Sequence, residues 1–164
     1  MSGVVLVTGG AGFFGSAFVR AALAGTAGAD GARVVTLDAL TYAGHTDNLG
    51  AVLRDPRHTF VHGNINDGEL VARLFAAHGV TAVVHFAAET HVDRSIDDPA
   101  PFVATNVLGT VKLLEVARAA LAGRSEAERA RFRFVQISTD EVHGAAREGE
   151  RFTEESRFAP RSPY

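Results

Sequence analysis

The sequence has 164 residues, of which 46% are hydrophobic and 21% are charged, and its formal net charge is −3. These values are typical of a globular domain, and the lack of a basic run argues against a nucleic-acid partner. The chain contains no cysteine, which excludes disulfides and thiolate zinc sites. No stretch approaches the roughly 20 apolar residues of a bilayer span, so we expect no membrane partner and a cytoplasmic location.

Five short apolar runs predict the strands of a parallel sheet: Val4–Val7, Arg33–Leu37, Thr59–His62, Ala82–Phe86 and Phe132–Ser138. Between them, helical spacing of apolar residues predicts helices over Phe13–Leu23, Glu69–Ala77 and Pro101–Leu121. Alternating strands and helices indicate an α/β fold with a doubly wound parallel sheet. Such sheets bind ligands outside the carboxyl ends of their strands, so function is expected at that edge.

A glycine-rich turn follows the first predicted strand and opens the first predicted helix. Gly9, Gly12 and Gly15 have the spacing G-x-x-G-x-x-G, and Gly10 in place of Gly9 gives G-x-G-x-x-G. Glycines at these places allow a tight turn, a close approach of backbone N–H groups to a pyrophosphate, and helix–strand packing. Asp38, at the end of the second strand, would accept the ribose hydroxyls and repel a 2′-phosphate. Together these residues predict binding of NAD rather than NADP.

Weaker signals lie after the fourth strand and in the long helix. The small pair Ala87–Ala88 would let a flat cofactor ring lie close to the backbone, and simple helix–sheet packing accounts for the pair equally well. His85 and His91 have no third ligand at useful spacing, so we expect hydrogen-bonded roles and no metal site. Asn106 and Thr110 are one helical turn apart, and we expect both to bond the preceding turn of their helix.

The fifth predicted strand ends on two hydroxyls and two adjacent acids. In FVQISTDEVHG, Ser138 and Thr139 are followed by Asp140 and Glu141. Neighbouring carboxylates repel each other and are costly to bury, so a pair at a strand end suggests one general acid and one general base. The alternative is that both acids are ordinary loop residues beyond the strand.

Several motifs occur in one order along the chain: VTGGAGFFGS, LDALTYAG, VVHFAAETHVDRSI, TNVLGT, ISTDEVHG and SPY. In these motifs the chain resembles the N-terminal half of extended short-chain dehydrogenases/reductases, and within them the nucleotide-sugar 4,6-dehydratases. The resemblance implies an NAD-binding Rossmann domain over residues 1–164, an NAD-dependent lyase activity, a dTDP-glucose substrate and a homodimer through the long helix. A nucleotide-sugar 4-epimerase, or a non-catalytic NAD-binding module, is the alternative.

The resemblance also implies roles for individual residues. Thr90 and Thr139 would contact the sugar, Asp140 would be the general acid, Glu141 the general base, and Tyr164 the base that initiates oxidation. Besides the three glycines of the turn, the implied NAD contacts are Phe13, Phe14, Asp38, Ala39, Leu40, Thr41, Asn64, Ile65, Phe86, Ala87, Ala88, Thr90 and Thr105.

The sequence departs from the family pattern in a few places. Phe14 replaces the usual isoleucine, Asn64 the usual aspartate, and His143 the usual tyrosine. The family also has a lysine four residues after the tyrosine that corresponds to Tyr164. We therefore expect the chain to be part of a longer polypeptide, without its C-terminal substrate domain, and to bind NAD weakly and turn over nothing by itself.

Overall fold

The computed structural model describes residues 3–28, 31–146, 148–149 and 151–164, and its centre is a five-stranded parallel sheet. The strands are β1 (Val4–Thr8), β2 (Arg33–Asp38), β3 (His58–His62), β4 (Ala82–His85) and β5 (Arg133–Gln136). Their order is β3-β2-β1-β4-β5, and every neighbouring pair is parallel. Because the chain returns to β1 and then continues on its other side, the sheet is doubly wound, which confirms the predicted fold class.

Helices connect the strands: α1 (Phe13–Leu23), α2 (Gly68–His78), α3 (Val92–Asp97), α4 (Ala100–Ala122) and α5 (Glu126–Arg131). Short 3₁₀ segments cover Thr46–Arg54 and Asp140–His143. Helices α3 and α5 were not predicted, because they have six residues each and are too short to show a helical period. The capping box that Ser125 and Glu128 form at the start of α5 was the available signal.

Apolar side chains cover both faces of the sheet. On one face, α2 and α4 supply Val71, Leu74, Phe75, Leu113 and Ala117 to a cluster with alternate residues of β1 and β2. On the other face, α1 and the segment Thr46–Arg54 pack on the intervening strand residues. Successive strand residues point to opposite faces, so a strand buried on both sides must be apolar throughout. All five residues of β1 are buried, as its central position requires.

The last two strands are shorter than predicted. Phe86 lies outside β4, although its N–H still donates to the Thr8 carbonyl at 2.9 Å. Ile137 and Ser138 lie outside β5, and the Ile137 N–H donates to the His85 carbonyl at 3.1 Å. Since β5 is at the edge of the sheet, ladder bonds form on only one of its sides and its end diverges earlier.

Helix α4 is long and apolar enough to cross a membrane by length and composition alone, with a mean hydropathy of 1.2 over its best window. This corrects the expectation that no stretch reaches that length. The helix nevertheless buries Phe102, Leu113 and Ala117 in the protein and packs along α2. It therefore contributes to the core of the globular domain on one face. Within α4, a π-helical turn spans Val103–Gly109.

Candidate functional site

A cleft of about 680 Å³ lies at the carboxyl ends of the strands, where a doubly wound sheet binds its ligands. Nearly all of the predicted site residues line it: Gly9, Gly12, Phe13, Phe14, Gly15, Asp38, Ala39, Thr41, Asn64, Ile65, Phe86, Ala87, Ala88, Thr90, Thr105, Thr139, Asp140 and Tyr164. Leu40 and Glu141 are the predicted site residues that do not line it. Tyr42, Glu89 and Ser138 also line the cleft and were not predicted.

The glycine turn forms the floor of the cleft. Gly9 has a φ of +69°, and a Cβ there would lie 2.6 Å from the backbone nitrogen of Ala87, so only glycine fits. A Cβ on Gly15 would press into the backbone of Gly9 and Gly10. Gly12 begins α1 without a side-chain cap, and the first turn of α1 contains no acidic residue. The N–H groups of this turn are therefore available to an anion such as a pyrophosphate.

Asp38 joins the glycine turn to the loop after β2. Its side chain is buried, and its Oδ2 accepts the N–H of Ala11 while its Oδ1 accepts the N–H of Leu40, both at 2.8 Å. Each carboxylate oxygen keeps a second lone pair for a ligand hydroxyl. Leu40 has a φ of +50°, and its side chain packs on the apolar cluster beside α1. This local turn explains why Leu40 does not line the cleft.

His85 lies beneath the cleft and is completely buried. Its Nδ1 is 2.5 Å from Thr8 Oγ1, and its Nε2 is 3.0 Å from Thr110 Oγ1. The Thr110 hydroxyl donates to the Asn106 carbonyl at 2.7 Å, so it accepts from Nε2–H and leaves Nδ1 to accept from Thr8. Burial lowers the pKa of His85 to about 4, which keeps the ring neutral. The expected hydrogen-bonded role of His85 is confirmed.

Asn106 fixes the loop that follows β4. Its Nδ2 donates to the carbonyl of Glu89 and its Oδ1 accepts the N–H of Glu89, both at 2.9 Å. The expectation that Thr110 bonds the preceding helical turn is confirmed, and the same expectation for Asn106 is wrong. A side-chain amide bonds both groups of one residue here because its donor and acceptor are parallel. An asparagine on an apolar helix face was the signal in the sequence.

The acid pair lies on a short 3₁₀ turn at the opposite wall. Thr139 Oγ1 accepts the N–H of Glu141 at 3.2 Å and lies 3.3 Å from Asp140 Oδ1, to which it donates. Asp140 is exposed and lines the cleft, whereas Glu141 is half-buried and does not. With three residues per turn, neighbouring side chains of a 3₁₀ helix point about 120° apart, so both cannot face the cleft in this conformation.

Tyr164 lines the same cleft as Thr139 and Asp140. Its N–H donates to Ser95 Oγ at 3.2 Å, and its ring packs edge-on at 6.4 Å from the Phe102 ring. Helices α3 and α4 therefore place this tyrosine. The cleft brings together a glycine turn suited to a pyrophosphate, an acid suited to a ribose, and a hydroxyl–carboxyl–phenol group at its other end.

Comparisons with known proteins agree with this arrangement. The family model described as GDP-mannose 4,6 dehydratase matches residues 6–164. A dTDP-glucose 4,6-dehydratase of Xanthomonas campestris pv. campestris (strain B100) is 50% identical over 159 residues, which cover 97% of this chain and 44% of that protein.

Two solved structures show the same fold. DesIV, a dTDP-glucose 4,6-dehydratase from Streptomyces venezuelae with NAD and TYD bound, superposes with a TM-score of 0.84 at 51% identity, over 98% of this chain and 47% of that one. The UDP-glucose 4-epimerase of Thermus thermophilus, in complex with NAD, gives a TM-score of 0.80 at 34% identity, over 98% and 46%. The chain thus spans about half the length of these relatives.

Proposed function

Because the chain belongs to the GDP-mannose 4,6 dehydratase family, we propose that it is the NAD-binding part of an NAD-dependent dTDP-glucose 4,6-dehydratase. The chain spans 44–47% of the length of the relatives named above, so the activity is proposed for a polypeptide of their length. The observation that carries the proposal is the cleft itself, in which Thr139, Asp140 and Tyr164 lie opposite the glycine turn.

The floor of the cleft suits NAD. Gly9 and Gly12 leave room for a pyrophosphate at the start of α1, and Asp38 presents buried carboxylate oxygens to an adenosine ribose. A carboxylate in this place also repels a 2′-phosphate, which favours NAD over NADP. The remaining predicted contacts, from Asn64 to Thr105, line the same walls. When bound, NAD would supply the chemistry of hydride removal from C4 of the sugar and its return to C6.

The other wall suits the acid–base steps of a dehydration. The Tyr164 oxygen would take the proton of the C4 hydroxyl as C4 is oxidised to a ketone. The ketone acidifies the C5 proton, which the Glu141 carboxylate would remove after turning toward the cleft. Asp140 would donate a proton to the C6 hydroxyl, which leaves as water. Thr139 donates to Asp140 and would hold that acid and the sugar in place.

Incubation of the protein with NAD and dTDP-glucose tests the proposal. A dehydratase releases a dTDP-4-keto-6-deoxyglucose, which absorbs in alkali, whereas dTDP-galactose would identify a 4-epimerase. The likeness to the Thermus thermophilus epimerase makes the second product the competing outcome. Cofactor binding with no turnover of either kind would identify a non-catalytic NAD-binding module.

A matched pair of variants isolates the acid. We expect Asp140→Asn to lower dehydration by about 100-fold or more, since it removes the proton that the C6 hydroxyl needs. The control Glu154→Gln changes an exposed acid outside the cleft and should retain full activity. An epimerase mechanism has no elimination step, so equal activity of both variants would refute the assignment of Asp140.

We also propose a cytoplasmic homodimer that forms through α4. One stripe of this helix, Val103, Val107, Val111 and Leu114, is about half exposed, and such apolar faces are usually covered by a partner. Sedimentation of the protein should give twice the monomer mass. Val107→Asp should shift it to the monomer, whereas Leu53→Asp, at an exposed apolar residue outside α4, should not. A monomeric unaltered protein would refute the proposal.

A further inference from the structure

We infer that Tyr42 is a latch that closes the cleft over the middle of the bound dinucleotide and slows its release. The inference rests on the proposed NAD site and concerns how that site retains its cofactor. Tyr42 lies in the loop after β2 and lines the cleft, and neither the glycine motif nor the acid pair assigns it a role.

Tyr42 contacts three residues on the far side of the cleft. Its hydroxyl lies 3.0 Å from Thr90 Oγ1, within hydrogen-bond distance. Its ring centroid is 5.2 Å from that of His91, and the guanidinium carbon of Arg94 is 5.1 Å from the ring centroid. A guanidinium at that distance is attracted to the ring face. One side chain is thus held by a hydrogen bond at its tip and by a cation on its face.

The strand order shows what this bridge crosses. Tyr42 follows β2 by four residues, Thr90 follows β4 by five, and β1 lies between these two strands. Neighbouring strands are about 4.8 Å apart, so the bridge spans roughly 10 Å above the end of β1. The chain continues from β1 directly into the glycine turn, which is where a pyrophosphate would lie. The latch therefore crosses the centre of the proposed NAD site rather than its rim.

The chemistry of the bridge also fits retention of a cofactor. Tyr42 and Thr90 are both exposed, so their hydrogen bond contributes little to folding compared with a buried one. Arg94 brings a positive charge to the mouth of a cleft that would hold two phosphates. In the proposed reaction the same NAD is reduced and then reoxidised, so release between these steps would end turnover. A latch over the pyrophosphate would prevent that loss.

The test measures release of NAD from the NAD-loaded protein by stopped-flow displacement. Tyr42→Phe removes only the hydroxyl, and we expect release to become about three to ten times faster, as for the loss of one hydrogen bond. Tyr42→Ala also removes the ring that Arg94 contacts, and should accelerate release by more than about tenfold. The control Ile96→Ala removes an exposed apolar side chain of α3 outside the cleft and should not change the rate.

A second readout separates a latch from a structural role. The melting temperature without NAD should be the same in Tyr42→Phe and the unaltered protein, while the increase caused by added NAD should be smaller in the variant. Equal release rates in all variants, with NAD bound, would overturn the latch and leave the proposed function intact. Failure of the unaltered protein to bind NAD would overturn both the cofactor assignment and the latch.

Discussion

His85 should make the protein lose stability as the pH falls from 7 toward 4. Burial lowers the pKa of this imidazole from its ordinary value of 6.5 to about 4, so the folded protein keeps it neutral where the unfolded chain protonates it. A histidine with a lowered folded-state pKa contributes stability that is complete above about pH 6.5 and declines below it. The difference between the two pKa values corresponds to roughly 3 kcal/mol of unfolding free energy.

Urea unfolding at two pH values measures this contribution. Between pH 7.5 and pH 5.0 the His85 contribution should decrease by about 2 kcal/mol, because the unfolded chain takes up a proton over most of that interval. In His85→Asn the side chain cannot titrate, so this part of the decrease should disappear. The variant should also be less stable at pH 7.5, because the contacts with Thr8 and Thr110 are weakened.

His58 provides a background against which the result is judged. Burial also lowers the pKa of His58, so some loss of stability at low pH should persist in His85→Asn. The informative quantity is therefore the difference between the two proteins in their pH dependence. If both lose the same free energy between pH 7.5 and pH 5.0, His85 is not the buried neutral group that its contacts imply, and the reasoning fails.

Three further substitutions test the site. Gly9→Ala should lower the free energy of unfolding by at least about 2 kcal/mol in urea titrations, since its Cβ would lie 2.6 Å from Ala87 N at a φ of +69°. Asn106→Ala should cost about 1–3 kcal/mol in the same assay, because both backbone groups of Glu89 lose their partner. Asp38→Asn should weaken NAD binding about tenfold or more and reduce the preference over NADP, as measured by calorimetry. Unchanged unfolding in the first two, or an unchanged cofactor ratio in the third, would contradict the geometry.

The order of the elements and the position of the cleft followed from the sequence, because both depend on repeating patterns. Apolar runs alternate with helical periods, and a parallel sheet then gathers every strand end at one edge. That rule alone brought Gly9, Asp38, Ala87 and Thr139 together, although more than 100 residues separate the first from the last. The glycine turn was predictable for the same reason, since its requirement is local.

The errors arose where a side chain depends on local geometry or on a distant partner. Leu40 turns away from the cleft through its φ of +50°, and the 3₁₀ turn separates the directions of Asp140 and Glu141. Neither conformation has a distinct residue pattern. Asn106 bonds a residue 17 positions away, and Tyr42 contacts Thr90 at a separation of 48. Such pairs belong to no motif, so only the assembled fold reveals them.

The central position of β1 has a consequence for the way the protein folds. Val5 pairs with Val34 on one side and with Ala82 on the other, so the second of these contacts joins residues 77 positions apart. Pairings of such long range are slow to form, because a large loop must close before they stabilise the chain. During synthesis β1 must therefore remain without one neighbour until β4 has left the ribosome. An entirely apolar strand is then exposed to other chains, and we expect folding yield to depend on chaperones and on low chain concentration.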